Sequence, residues 1–204
     1  GVDYASIGDL TRACDIWGMT SVVRVGQNQD NVIYRTLDCG AQGIVVPHVN
    51  TRAEAEAVVD AGKFAPLGSR GMFTSRQGFG VDNYLEVAND QSLLIVLIED
   101  IIAINNLDEI LEVDNIDVFF IAPSDLAQSM GHIGDLSHPD VQKVISDGYK
   151  RIVASGRTAG GLGSEENVER YVELGVRFFL TSVGPLITSG FQRFSEVASS
   201  GLQK

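Results

Sequence analysis

The sequence predicts an α/β protein built as a parallel (β/α)8 barrel of the TIM type, with its 204 residues in one domain. Two observations carry that expectation. Short apolar segments rich in Val, Ile and Phe alternate with amphipathic stretches along the whole chain, which is the pattern of repeated strand–helix units. The strand segments are apolar on both faces, as strands of a parallel sheet covered on both sides must be.

Taken in order, Gly1–Tyr4 (GVDY) reads as the tail of a strand. Six complete strands follow: Ser21–Val25, Gly43–Val49, Leu93–Glu99, Asp117–Ala122, Ala159–Leu162 and Arg177–Ser182. Helical patterns lie around them at Ile7–Gly18, Asn28–Gly40, Arg52–Phe64, Ile102–Val113, Pro139–Ser155, Glu165–Gly175 and Pro185–Ser199. Thr51 is placed to cap the helix that holds Glu54, and Gly18, Gly40, Gly156 and Gly175 stand where C-terminal glycines belong. A closed barrel needs eight strands and typically ~250 residues. The pattern therefore predicts that a first βα unit precedes Gly1, and that residues 1–204 are a single, N-terminally incomplete barrel domain. The alternative is an open, doubly wound sheet.

Composition narrows the function classes. Fifteen Lys and Arg against 27 Asp and Glu leave a formal charge of −12, which repels phosphate backbones and argues against a nucleic-acid partner. The longest apolar run, Leu93 to Ile98, is strand-sized and far short of a membrane span. No basic region followed by an apolar stretch opens the chain, so a cytoplasmic location is expected. Cys14 and Cys39 show no metal-ligand spacing and read as reduced packing cysteines.

The working face of such a barrel is the C-terminal ends of its strands, where polar residues interrupt apolar runs. Glu99 and Asp100 end LLIVLI, Ser124 and Asp125 follow DVFFIAP, Arg24 interrupts SVVRV, and His48 follows Val45-Val46-Pro47. Glu99 with Asp125 is the strongest pair. Two carboxylates at the mouths of buried strands repel unless a cation or proton intervenes, and hard oxygen ligands with open positions suit Mg²⁺ or Mn²⁺. For Asp100, capping of the next helix is the better reading. Arg24 offers a permanent charge for an enolate oxygen, or a salt bridge across the rim. His48 reads as a hydrogen-bonded loop residue rather than an acid–base group, and His132 and His138 have no evident partner. The Gly160–Ser164 turn is either a weak phosphate site or a tight turn with Ser164 capping the following helix.

With these residues in hand, the chain resembles the HpcH/HpaI aldolases, the class II pyruvate aldolases that include 4-hydroxy-2-oxoheptanedioate aldolase. The resemblance rests on ordered motifs: Val23-Arg24-Val25; Leu37-Asp38-Cys39-Gly40-Ala41 with Gly43 and Pro47; Pro66 to Gly71; Ile98-Glu99; and Ala122-Pro123-Ser124-Asp125-Leu126 leading to His138-Pro139. It implies a barrel of the phosphoenolpyruvate/pyruvate-binding type, with a divalent metal (Mg²⁺, Mn²⁺ or Co²⁺) on Glu99 and Asp125. It also implies pyruvate held at that metal, its carboxylate on the backbone N–H groups of Ser124 and Asp125, and Arg24 as the catalytic arginine. The implied reaction is cleavage or formation of 4-hydroxy-2-oxo acids through a pyruvate enolate, as in the breakdown of aromatic compounds.

Three positions depart from the family pattern. Asp3-Tyr4 is followed by Ala5-Ser6 rather than by Glu-His, Leu97 stands where Gln is usual, and Ala122 where Gly is usual. These departures motivate a non-catalytic oxo-acid-binding protein as one alternative. A CoA-thioester lyase of the citrate/malyl-CoA branch is the other, with Arg70 and Arg76 as thin provision for the CoA phosphates. The family assembles through its last helices, so a homo-oligomer, a trimer or hexamer, is expected. Leu186, Ile187, Phe191 and Phe194 on a helical spacing serve either that assembly or core packing.

Overall fold

A computed structural model describes residues 3–72 and 76–202. Its strands are β1 (Val22–Arg24), β2 (Gly43–Val46), β3 (Leu93–Ile98), β4 (Val118–Ile121), β5 (Ala159–Leu162) and β6 (Phe178–Leu180). They form one sheet in sequential order β1 to β6, and every neighbouring pair is parallel. Among the described residues β1 and β6 are the two edges, so the sheet is open there rather than a closed eight-stranded barrel. Each observed strand lies within the segment expected for it; β5 matches it in full and the others are shorter at one or both ends.

The helices are α1 (Tyr4–Ile16), α2 (Asp30–Asp38), α3 (Arg52–Gly62), α4 (Tyr84–Gln91), α5 (Ile101–Asn105), α6 (Leu107–Leu111), α7 (Pro123–Ser129), α8 (Pro139–Ala154), α9 (Val168–Glu173) and α10 (Val183–Leu202). Thr51 makes the expected capping box: its side chain accepts from the Glu54 N–H, and the Glu54 carboxylate accepts from the Thr51 N–H. Gly18, Gly40, Gly156 and Gly175 all have positive φ, the left-handed conformation in which a helix ends most cheaply on glycine.

Several expectations are corrected. Tyr4 belongs to a helix rather than a strand tail, because the extended Asp3 caps α1 by accepting from the Ser6 N–H; Gly1 and Val2 lie outside the described residues. The segment read as one helix at Ile102–Val113 is two, divided at Asn106, whose side chain donates to the Asn50 carbonyl. Helices α4 and α7 carry too few buried residues to leave an apolar stripe in the sequence: Ala88 alone in α4, Leu126 and Ala127 in α7.

The main core lies between the helices and one face of the sheet. Ile44, Val46, Leu94, Val96, Ile98, Phe119 and Ile121 meet Ile33, Leu37, Val58, Leu107, Ile145 and Ile152 there. Each such aliphatic side chain stabilises the fold by roughly 1.5–3 kcal/mol through burial. The opposite face carries a smaller cluster of Ile95, Leu97, Val118 and Phe120, flanked by Val45, Leu162 and Phe178. The two clusters explain why the strands read as apolar throughout. No helix among the described residues is long and apolar enough to cross a membrane.

Candidate active site

Glu99 stands immediately after β3 and Asp125 in the first turn of α7, three residues after Ala122, which follows β4. Because β3 and β4 pair with Ile98 opposite Ile121, both carboxylates leave the same end of adjacent strands. Two further bonds hold the segments together. The Ala122 N–H donates to the Ile98 carbonyl at 3.2 Å, and the Ile101 N–H donates to Ser129 Oγ at 2.9 Å, tying the turn after Glu99 to the helix that carries Asp125.

Their environments differ sharply. The Glu99 side chain is 1% exposed, whereas Asp125 and Ser124 are exposed. One Glu99 oxygen, Oε1, accepts the His48 backbone N–H at 2.8 Å and lies 3.1 Å from His48 Nδ1. The other, Oε2, is buried with no hydrogen-bond partner among the described residues. A desolvated oxygen with unspent lone pairs is unfavourable unless a cation or a proton meets it. Glu99 Oε2 at the end of β3, with the exposed Asp125 after the neighbouring strand, could hold a hard divalent cation.

Arg24 pairs in register with Val45, which pairs with Ile95, so it shares the face that carries Leu97 and Phe120. It is exposed on the edge strand and makes no hydrogen bond or ion pair among the described residues. The structure thus leaves its guanidinium uncommitted and does not supply the rim salt bridge. Asp100 caps α5 by accepting from the Ile102 N–H, as its position suggested. Leu97, in place of the family's Gln, is buried in the smaller cluster.

Other candidates resolve differently. Ser164 does not cap a helix: α9 starts at Val168 behind Asn167, whose side chain instead accepts the Ser164 N–H. Gly160 is where a Cβ would meet Val118 and Phe120, so close packing explains that glycine. Arg70 and Arg76 are held by Asp38 and Asp15, which removes the arginine pair considered for CoA phosphates. His132 and His138 stack with ring centroids 3.7 Å apart and, with Asp140, form a candidate cation cluster. Their rings are only 21° from parallel, so their lone pairs do not converge, and His138 Nδ1 already accepts the Asp140 N–H at the start of α8.

A cleft of about 570 Å³ opens beside this end of the sheet, between β5, β6 and α10, lined by residues including Leu162, Ser164, Phe179, Thr181 and Leu186. Helix α10 leaves Leu186, Ile187, Phe191 and Phe194 exposed among the described residues.

Comparison with known proteins settles the family. The family model described as HpcH/HpaI aldolase/citrate lyase matches residues 6–183. The chain belongs to that family. It is 39% identical over 172 residues to a 2-keto-3-deoxy-L-rhamnonate aldolase of Klebsiella pneumoniae, covering 81% of this chain and 64% of that protein. It is 38% identical over 177 residues to a hydroxypyruvate/pyruvate aldolase of Cupriavidus necator, covering 84% and 66% respectively. Among solved structures, an HpcH/HpaI aldolase/citrate lyase family protein of Burkholderia cenocepacia superposes with a TM-score of 0.86 at 28% identity, covering 96% of this chain and 81% of the other. The chain thus spans about two thirds of the length of the curated relatives it matches.

Proposed function

We propose that this chain carries the metal-binding and enolate-forming part of a class II pyruvate aldolase, in a single domain of the (β/α)8-barrel type. The observation that carries the reading is Glu99: a carboxylate buried at a strand end with one oxygen unpaired, beside the strand end that presents Asp125. Both residues would hold a divalent cation, Mg²⁺, Mn²⁺ or Co²⁺, which supplies Lewis-acid polarisation of an oxo group when bound. The relatives named as aldolases of oxo acids support the same reaction class.

The chain's own residues divide the remaining work. Ser124 and Asp125 offer first-turn N–H groups of α7, where Ala122 provides no side-chain cap, and these suit the carboxylate of an oxo acid. Arg24 places a permanent positive charge on the substrate-facing side of the sheet, available to the oxygen on which negative charge grows as the C3–C4 bond of a 4-hydroxy-2-oxo acid breaks. The electrons of that bond pass into the pyruvate enolate, the C4 hydroxyl gives up its proton to solvent as it becomes the carbonyl of the departing aldehyde, and protonation of the enolate at C3 yields pyruvate. Leu97 and Phe120 line that face with apolar surface and strengthen these charges by excluding water. The cleft beside β5 and β6 is the place for the aldehyde portion. The exposed apolar stripe of α10 is the surface for homo-oligomerisation, and a cytoplasmic catabolic role follows from the reaction class.

The test is pyruvate release from racemic 4-hydroxy-2-oxo acids by metal-stripped protein, with Mg²⁺ or Mn²⁺ restored, in wild type and Asp125→Ala. Metal-dependent turnover that the variant loses is the expected result. Metal and pyruvate binding without turnover would sink the catalytic reading and favour an oxo-acid-binding protein. Acetyl-CoA release from a malyl or citryl thioester would point to the CoA branch instead.

A further inference from the structure

We infer that His48 is a positioning residue for Glu99, clamping one carboxylate oxygen so that the other is presented to the cation; the inference rests on the reading that Glu99 is a metal ligand. Three independent features of the structure meet at this residue. His48 has φ +55, a left-handed conformation uncommon for residues with a Cβ. Its backbone N–H donates to Glu99 Oε1 at 2.8 Å, and its imidazole Nδ1 lies 3.1 Å from the same oxygen. Glu99 Oε2, by contrast, is buried with no hydrogen-bond partner among the described residues.

This division is asymmetric in a useful way. A carboxylate free to rotate about its last bond exchanges its two oxygens and weakens any site that needs one of them fixed. The backbone hydrogen bond on Oε1, with the imidazole close to the same oxygen, defines which oxygen points where and leaves the lone pairs of Oε2 unspent. The backbone strain at position 48 persists only because the surroundings hold it, a situation that clusters at functional sites. The His48 side chain is 67% exposed, so core packing does not account for its orientation, whereas contact with Glu99 does. Residues that orient a metal ligand from behind typically affect metal affinity about 10–100-fold when altered.

Three substitutions separate the parts of the clamp. His48→Gly keeps the left-handed backbone and its N–H while deleting the imidazole. His48→Asn tolerates the same backbone and retains a side-chain donor. His48→Val disfavours the conformation and removes both contacts. Mn²⁺ affinity of the metal-stripped full chain is measured by titration calorimetry, with thermal midpoints recorded alongside and Glu99→Gln as the reference for loss of the ligand. The expected order of affinity is wild type, then Asn, then Gly, then Val, with Val at least about 10-fold weaker than wild type and Gly and Asn close to wild type in thermal midpoint. Wild-type Mn²⁺ affinity in both Gly and Asn variants, while Glu99→Gln loses it, overturns the positioning role and leaves the metal reading intact. Should wild type and Glu99→Gln bind Mn²⁺ equally weakly, the metal reading itself fails, and the clamp with it.

Discussion

The guanidinium of Arg70 pairs with Asp38 at 2.7 Å while lying 4.5 Å above the ring of Phe64. The arginine side chain is 1% exposed, so this pair fastens the last turn of α2 to the loop after α3 at a desolvated position. Removing one member of such a pair strands the other charge, at a cost of roughly 3–5 kcal/mol for a fully buried case. Asp38→Ala is therefore expected to lower the urea unfolding free energy towards the bottom of that range, since Asp38 is itself partly exposed. A loss below about 1 kcal/mol would place the pair among weak surface contacts instead.

Gly161 of β5 sits directly beneath the hydroxyl of Tyr149 from α8, and a Cβ at position 161 would collide with that oxygen. Gly161→Ala is expected to destabilise by about 1–3 kcal/mol through overpacking. Because the hydroxyl is the nearest atom, Tyr149→Phe introduced alongside should recover part of the loss. Thermal denaturation of the four members of that cycle measures the coupling, and strict additivity would count against this contact as the cause.

Glu54 closes the capping box of α3 and also accepts the Asn50 N–H, so one carboxylate holds the chain entry just beyond the His48 turn. Thr51→Ala should cost about 1 kcal/mol. Its effect should appear in the unfolding midpoint and not in metal affinity.

Lys63 is buried, and its ammonium donates to the Asn89 and Ser92 carbonyls at 2.6 Å each. Burial lowers its pKa from the ordinary 10.5, against the pull of Asp117 and Asp90. Between the folded value and the ordinary one the unfolded chain holds a proton that the native chain has released, so native stability rises with pH across that window. Below the window the cost of burying the charge is constant. Unfolding free energies taken at intervals from pH 8 to about 10.5 should show wild type gaining on Lys63→Met, and a flat difference would contradict the depressed pKa.

The exposed Arg24 guanidinium makes no hydrogen bond or ion pair among the described residues. Arg24→Ala should therefore leave the melting temperature unchanged while lowering kcat for pyruvate release by about 10²–10³-fold, as loss of a transition-state charge partner does. Arg24→Lys, which keeps the charge but not the planar fork, should recover only part. A fall in melting temperature matching the loss of activity would instead assign Arg24 a structural role.

How much of this was readable in the residue order differs from element to element. All six strands were: β1 to β4 and β6 as short runs holding β-branched or aromatic residues, and β5 (AGGL), which holds neither, from its place in the strand–helix alternation. Helix α3 was, because its capping box and its apolar spacing agree. Helices α4 and α7 were not, since they rest on one and two buried residues, and burial of so few positions leaves no periodicity. The start of α1 was misread because Asp3 is itself extended and caps the helix by accepting from the Ser6 N–H, and an extended Asp from sequence looks like the end of a strand.

The candidate site divides the same way. Glu99, Asp125, Ser124 and Arg24 could be picked out because each breaks or follows an apolar strand at one end, and a parallel sheet puts all such ends together. The sequence by itself determined the alternating α/β architecture, the strand-end location of the polar residues and the resemblance to the aldolase family. Only the tertiary structure decided that His48 contacts Glu99 across 51 positions of chain, that Arg70 and Arg76 pair with Asp38 and Asp15, and that the apolar stripe of α10 is exposed among the described residues. The reason is that periodicity encodes which face of an element is buried. Which particular polar atoms then meet depends on register and on single backbone dihedrals, such as that of His48, which no local pattern records.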